Sequence, residues 1–190
     1  MLNSPTVRQR AIEVARRVCS ANPVFVDTET TGLGSGDEII EISIIDDNGL
    51  TLLETLVKPS QPIPAASTRV HGITDADVQS ARSWPVTWPQ IRSALFGRLI
   101  VFYNEDFDMR MMQQSHTRYR LPWKEKFNTF DLLKLYAEFR GDWDPNRRAY
   151  RYHSLANAGV QCSIALPNAH RATADTLLTR ALLHHVADSH

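Results

Sequence analysis

The segment VFVDTETTG, Val24 to Gly32, constrains this chain more than any other. Its first seven residues are the types that build a buried strand, yet Asp27 and Glu29 stand two apart within it. Side chains at i and i+2 of a strand project to the same face. Two carboxylates placed there raise one another's pKa and weaken the fold. A divalent cation held between them removes the conflict. The plainer alternative caps the following loop with one acid and solvates the other. D-x-E is too short a pattern to choose between these by itself.

What surrounds that strand is bounded by the rest of the chain. A length of 190 residues matches one domain with a small extension, and 43% hydrophobic residues fill a core without a disulfide or structural metal. Cys19 and Cys162 are far apart and form no metal-ligand pattern, so a reducing, cytoplasmic setting is expected. The opening MLNSPTVRQR lacks an apolar core of signal-peptide length. No run approaches the roughly 20 apolar residues of a membrane span. Lys plus Arg and Asp plus Glu both number 21, so the net charge is zero. That argues against coating nucleic acid by bulk charge, and leaves room for a local site in which metal ions face phosphates.

Periodicity supplies the layout. Val7, Ala11, Val14 and Val18 predict an amphipathic helix over 5–19, closed by Asn22-Pro23. After the 24–30 strand, two β-branched runs flank Asn48-Gly49 and predict a hairpin. Ile40, Ile42 and Ile44 alternate there with Glu41, Ser43 and Ile45, which marks one face as drier. Short helices or turns are expected at 65–70 and 74–80, then a helix at 86–97 with Trp88, Ile91, Leu95 and Phe96 for packing. LIVFY, 99–103, predicts a second buried strand. Helices follow at 105–118, with Met109, Met111 and Met112 as core fillers, and at 130–140. Residues 141–152 read as an irregular polar and aromatic loop, before helices at 153–158 and 171–187. A meander followed by alternating strands and helices indicates an α/β fold with a mixed central sheet.

Two further places hold acids near element ends. YNEDFD puts Asp106 and Asp108 at the start of the helix after the second strand, and physics alone does not prefer one. HRATAD puts His170 before the last helix and Asp175 on its first turns. A neutral imidazole there is available as a base at physiological pH. Ordinary helix capping and a surface histidine explain the same residues without chemistry.

Taken in order, D-x-E-T-T-G from Asp27, V-H-G-I-T from Val70, N-x-x-F-D from Asn104 and H-x-A-x-x-D from His170 form one pattern. It resembles the DnaQ-like exonucleases of the DEDDh type, among them the proofreading subunit of bacterial DNA polymerase III and RNase T. The resemblance runs from Val24 to about Val186. It implies an RNase H-like fold with a five-stranded mixed sheet, its second strand antiparallel, flanked by helices. It makes 1–21 an N-terminal helical extension and 22–190 the exonuclease domain. It selects Asp108 over Asp106. Asp27, Glu29, Asp108 and Asp175 then match the acids that hold two divalent cations, Mg2+ or Mn2+, and His170 matches the general base. Thr30, Leu33, Val70, His71 and Phe107 match positions that grip the terminal nucleotide.

The implied reaction is 3′-5′ removal of nucleoside 5′-monophosphates, with single-stranded DNA favoured. An exoribonuclease of the same fold and a silent binding module stand as alternatives. The implied partners are nucleic acid 3′ ends, and a polymerase or other DNA-processing protein, with no membrane. Two departures stand out: Tyr103 occupies a position where many relatives carry His, and Glu105 and Asp106 replace small residues. The stretch DTETT also resembles the D-x-D-x-T loop of haloacid-dehalogenase-type phosphatases. There the second acid is Asp, whereas here it is Glu29, and the acidic pair Asp46-Asp47 comes too early. Outside these motifs, Trp143, Tyr150 and Tyr152 interleave with Arg147, Arg148 and Arg151, a composition suited to a single-strand groove.

Overall fold

A computed structural model describes residues 5–164 and 170–190. Helix α1 (Val7–Ser20) opens with a capping box, in which the Thr6 hydroxyl accepts from Gln9 N–H and the Gln9 side chain accepts from Thr6 N–H. Strands β1 (Val24–Thr30), β2 (Ile39–Asp46) and β3 (Thr51–Lys58) form the meander. Short helices α2 (Ala65–His71) and α3 (Asp75–Val78) lead to β4 (Arg82–Ser83) and α4 (Trp84–Leu95). Then come β5 (Leu99–Phe102), α5 (Glu105–Arg118), β6 (Asn128–Asp131) and α6 (Leu132–Arg140). A small hairpin, β7 (Trp143–Asp144) and β8 (Ala149–Tyr150), precedes α7 (Leu155–Gln161) and α8 (Ala172–Asp188).

The sheet order is β4-β3-β2-β1-β5-β6. Strand β2 runs antiparallel to both neighbours, while β1, β5 and β6 are mutually parallel. The sheet therefore has six strands where the resemblance implies five. The extra one is β4, two residues pairing with Val57 and Lys58 at the edge. Strand β6 takes residues that periodicity assigns to a helix, because Asp131 ends the strand and caps α6. Its Oδ1 accepts from Leu133 N–H at 3.0 Å and from Asn104 N–H at 3.3 Å. Residues 141–152, expected as an irregular loop, contain the β7–β8 hairpin. Phe96 lies just past the end of α4 and is exposed instead of packed.

Alternation along β1 divides the core in two. Phe25 packs with Ala11, Ile12, Leu132, Tyr136, Leu182 and Val186 on the face covered by α1, α6 and α8. Val24 and Val26 pack with Trp84, Ile91, Phe102, Met111 and Met112 on the face covered by α4 and α5. Ile39 through Ile45 are all buried, Glu41 and Ser43 included, so the expected wetter face of β2 is covered as well. Helix α8 lies over it. By this same alternation Asp27 and Glu29 point towards α8, and Thr28 points towards α5.

Candidate active site

Strand β1 is hydrogen-bonded to β5 only through Val24–Ile100 and Phe25–Val101. Asp27 to Thr30 thus run beyond the last β5 partner, with β2 on their other side. The chain leaves β1 towards one edge of the sheet and β5 towards the other. A crevice opens at such a switch point, outside the carboxyl ends of the strands. Three of the four acids expected to bind metal, Asp27, Glu29 and Asp175, come together here, and Asp108 stands outside that group.

Asp27, Glu29 and Asp175 each offer a carboxylate oxygen within 4.8 Å of the other two. Asp175 arrives on the first turn of α8. Asp108 arrives from the opposite side of the sheet on α5, where it is buried and accepts from Thr28 Oγ1 at 2.7 Å. Asp106, two positions earlier, points away and is exposed beside Lys134. Helical geometry makes that choice, since residues two apart on a helix face different ways.

Among the described residues, no lysine or arginine forms an ion pair with any of these four acids. Burial pushes Asp27 well above the usual carboxylate range, with the charges of Asp108, Asp175 and Glu29 adding to it. Burial, then the charges of Asp175, Glu41 and Asp108, raise Glu29 to about 8. Asp108 rises to about 7 through burial, against the pull of the Thr28 hydrogen bond. Asp175 is also raised by burial, while the charge and backbone hydrogen bond of His170 work the other way. The donors are all oxygen, which suits a hard divalent cation such as Mg2+ or Mn2+.

Two motif residues hold left-handed backbone. Asn104, the N-cap of α5, has φ 76, and His170 has φ 67. Asn tolerates that region better than most residues. The Asn of the third motif therefore serves the bend that starts the helix carrying Asp108. His170 is a less usual occupant, and strain of this kind gathers at functional sites.

The side chains expected to grip a nucleotide fall into two states of burial. Leu33 is 77% exposed on the 31–38 loop and Val70 is 56% exposed on the last turn of α2. The loop is stapled: Thr31 Oγ1 and Gly34 N–H donate to Asp37, and Gln114 Nε2 donates to the Gly34 carbonyl. A Cβ on Gly32 would lie 2.6 Å from Asp37 Oδ2, so a side chain there would displace the carboxylate that staples the loop. Ser67 Oγ donates to the Thr31 carbonyl at 2.6 Å and ties α2 to this loop. Thr30 and His71 are buried behind that surface, and Phe107 is half-buried. His71 Nδ1 accepts from Ile73 N–H at 3.0 Å, which places the proton of the neutral ring on Nε2. Burial lowers the His71 pKa.

Three residues that the sequence does not single out complete the arrangement. Thr28 orients Asp108. Glu41, only 2% exposed, stands opposite Glu29 across the β1–β2 ladder. It accepts from Arg171 Nη2 at 2.5 Å, from Arg171 Nε at 3.1 Å and from Ala172 N–H at 2.9 Å. This fork fixes the start of α8, and with it both His170 and Asp175. A lone glutamate in an isoleucine-rich strand and an arginine beside the motif histidine are the only local signals of the pair.

An exonuclease-family model matches residues 24–183. An uncharacterized exonuclease of Escherichia phage 186 is 37% identical, covering 96% of this chain and 94% of its own length. The PolC-type DNA polymerase III of Streptococcus agalactiae is 26% identical over 90% of this chain, which spans only 11% of that protein. Among solved structures, the zinc-bound E. coli exonuclease I complex with single-stranded DNA shares the fold. It has a TM-score of 0.69 and 20% identity, over 85% of this chain and 39% of that one. Exonuclease X with 5′ overhanging duplex DNA gives a TM-score of 0.65 and 25% identity, over 86% and 89% of the respective chains. The chain belongs to the DnaQ-like exonuclease family, on an RNase H-like fold.

Proposed function

We propose that the protein is a DEDDh-type 3′-5′ exonuclease that releases nucleoside 5′-monophosphates, with single-stranded DNA as the preferred substrate. The observation that carries this reading is the half-buried cluster of Asp27, Glu29 and Asp175, with buried Asp108 held by the neighbouring Thr28 and no ion pair to any of the four among the described residues. Such a cluster is adverse to the fold unless cations occupy it. Two Mg2+ or Mn2+ ions held by Asp27, Glu29, Asp108 and Asp175 supply the positive charge that the scissile phosphate needs.

The chain's own residues do the rest. Asp27 feels the charges of both Asp108 and Asp175, which are carried by helices on opposite faces of the sheet. His170 takes the proton from the attacking water at its imidazole nitrogen. Water's oxygen bonds to phosphorus as the bond to the leaving 3′ oxygen breaks, and that oxygen takes a proton from solvent. Leu33, Val70 and Phe107 offer apolar surface to the terminal nucleotide, and Thr30 and His71 hold that surface from behind. The stapled 31–38 loop keeps Leu33 exposed at the cost of unfavourable apolar hydration, which contact with a base would relieve. The single-strand preference rests on the single-stranded ligand of the exonuclease I neighbour. Polymerase association rests on the PolC-type relative.

The test uses 5′-labelled single-stranded DNA, duplex DNA and single-stranded RNA with Mg2+, Mn2+ or EDTA, and Asp108→Ala protein alongside. The expected result is a ladder that shortens from the 3′ end, needs metal and disappears in the variant. Cutting that persists in Asp108→Ala would overturn the assignment of the site.

A further inference from the structure

Beyond the crevice, the β7–β8 hairpin is the surface feature that the fold does not explain. It pairs Trp143 with Tyr150 and Asp144 with Ala149, far too little to be stable by itself. Yet it displays large aromatic surface: Trp143 is 52% exposed and Tyr152 is 62% exposed. Trp143 meets Tyr150 edge-on at 5.2 Å between ring centroids, which stiffens the platform without covering it. Arg147, Tyr150, Arg151 and Tyr152, with Asp144 and Ala149, line a groove of about 400 Å3.

Its charges are arranged so that two arginines stay free. Asp144 holds the turn by accepting from the backbone N–H of Asn146 at 3.0 Å and of Arg147 at 3.3 Å. Its carboxylate lies 3.7 Å from Arg151. Among the described residues, no carboxylate lies within 4.0 Å of the Arg147 or Arg148 side chain. In a chain of zero net charge these two cations stand at the tip of an aromatic arm.

The arm is attached to the end of the sheet that carries the acids. Tyr103, which follows β5 and precedes Asn104, donates its hydroxyl to the His153 carbonyl at 2.7 Å. His153 Nε2 lies 3.0 Å from Asp142, and Arg151 N–H donates to the Asp142 carbonyl at 2.8 Å. The base of the hairpin is thereby fastened to the turn that delivers Asp108. It also gives Tyr103, found where many relatives carry His, a structural purpose.

We propose that this hairpin is a binding arm for the single-stranded nucleic acid that leads into the site, a reading that rests on the exonuclease function above. Tyr152, Tyr150 and Trp143 stack unpaired bases, and Arg147, Arg148 and Arg151 meet the phosphates between them. Exposed aromatic faces alternating with guanidinium groups favour this occupant, since every base offers a face and every linkage a charge. A duplex keeps its bases stacked on one another and has no use for the aromatics.

The experiment compares the intact protein with Trp143→Ala/Tyr152→Ala and Arg147→Ala/Arg148→Ala variants, all exposed positions. Two substrates are used: an oligothymidylate of about 20 nucleotides, and p-nitrophenyl thymidine 5′-monophosphate, a diester too small to reach the arm. The aromatic variant is expected to raise the oligonucleotide KM about tenfold, with kcat and the small-diester kinetics unchanged. The arginine variant is expected to flatten the salt dependence of oligonucleotide binding by about 1.4 in log–log slope, roughly 0.7 for each phosphate no longer neutralised. An unchanged oligonucleotide KM in both variants overturns the proposal. Equal losses on both substrates also overturn it, by showing that the hairpin acts through the fold. A change in sedimentation mass with unchanged KM overturns it in favour of contact between copies of this chain. Hydrolysis of neither substrate by the intact protein would sink the exonuclease reading alone. Anisotropy of the labelled oligonucleotide would then still decide whether binding depends on the arm.

Discussion

Glu29 and Glu41 face each other across the β1–β2 ladder, yet they live under opposite rules. Glu41 is enclosed by an arginine fork and a backbone N–H, so its charge is matched within the protein. Glu29 has Asp175, Glu41 and Asp108 for electrical neighbours, and only Arg171, already engaged by Glu41, works in its favour. A buried charge without protein partners is strongly destabilising, whereas a fully partnered one holds two elements in register. On the function proposed above the first is a place kept for a cation, while the second is part of the frame. Glu38 belongs with Glu41: it is buried and accepts from Ser60 N–H at 3.0 Å and from Ser60 Oγ at 2.7 Å.

The comparison is broken most severely by removing an acid from the unpartnered side. Asp27→Asn is expected to lower kcat by more than about 1000-fold, since the charge that gathers the cations sits at the centre of the cluster. The same substitution relieves repulsion, so melting in EDTA at pH 8 is expected to rise by about 5 °C. Loss of activity together with a lower melting temperature would mean that Asp27 belongs to the frame.

Glu41→Gln is expected to do the reverse. It leaves the Arg171 guanidinium with a weaker partner, loosens the start of α8 and lowers melting in EDTA. Because Arg171 is partly exposed and can be rehydrated, the loss is about 1–2 kcal/mol, below the range for a fully buried pair. Activity is expected to fall about 10- to 100-fold through displaced His170 and Asp175, as for other residues that orient metal ligands. Glu29→Gln and Glu41→Gln shifting melting in the same direction would remove the distinction.

Acidity separates the two groups without mutation. Glu29 at about 8 and Asp108 at about 7 bind protons more tightly folded than unfolded. Their contribution is complete below the unfolded carboxylate range near about 4, and it is lost as pH rises through about 7 to 8. The metal-free protein is accordingly expected to melt several degrees lower at pH 8.5 than at pH 5. Mn2+ at about 100 times its dissociation constant is expected to restore about 2.7 kcal/mol at the higher pH. Calorimetry at both pH values, with EDTA and with Mn2+, measures this, and a metal-free melting point that rises with pH would contradict it.

How much of this is legible follows from what each residue announces. The strand carrying Asp27 and Glu29 is visible because acids at i and i+2 are anomalous in an apolar run. Their companion on α5 is visible only as a choice between Asp106 and Asp108, which resemblance resolves and helical direction explains. Strands β1, β2, β3 and β5 and most helices can be read from residue pattern. Strand β6 cannot, because its four residues lead directly into α6 without a turn and only Phe130 among them is apolar. Strand β4 has two residues and no period at all. Glu41 and Arg171 lie 130 positions apart, and no local pattern joins them.

Thr28 sharpens the comparison at its finest scale, since its hydroxyl is the one side-chain group found to donate to the Asp108 carboxylate among the described residues. Thr28→Val keeps the shape and removes the donor. The bond favours the carboxylate, so without it the Asp108 pKa moves above about 7. Fewer metal-free molecules then carry the ionised form at neutral pH, so the affinity for Mn2+ falls there. At pH 7 the loss is expected to be about 10-fold, the lower end for a residue that orients a metal ligand. At pH 9 most of it should disappear, because Asp108 is ionised with or without the bond. A loss of equal size at both pH values would mean that Thr28 fixes where Asp108 stands, with no part in its ionisation.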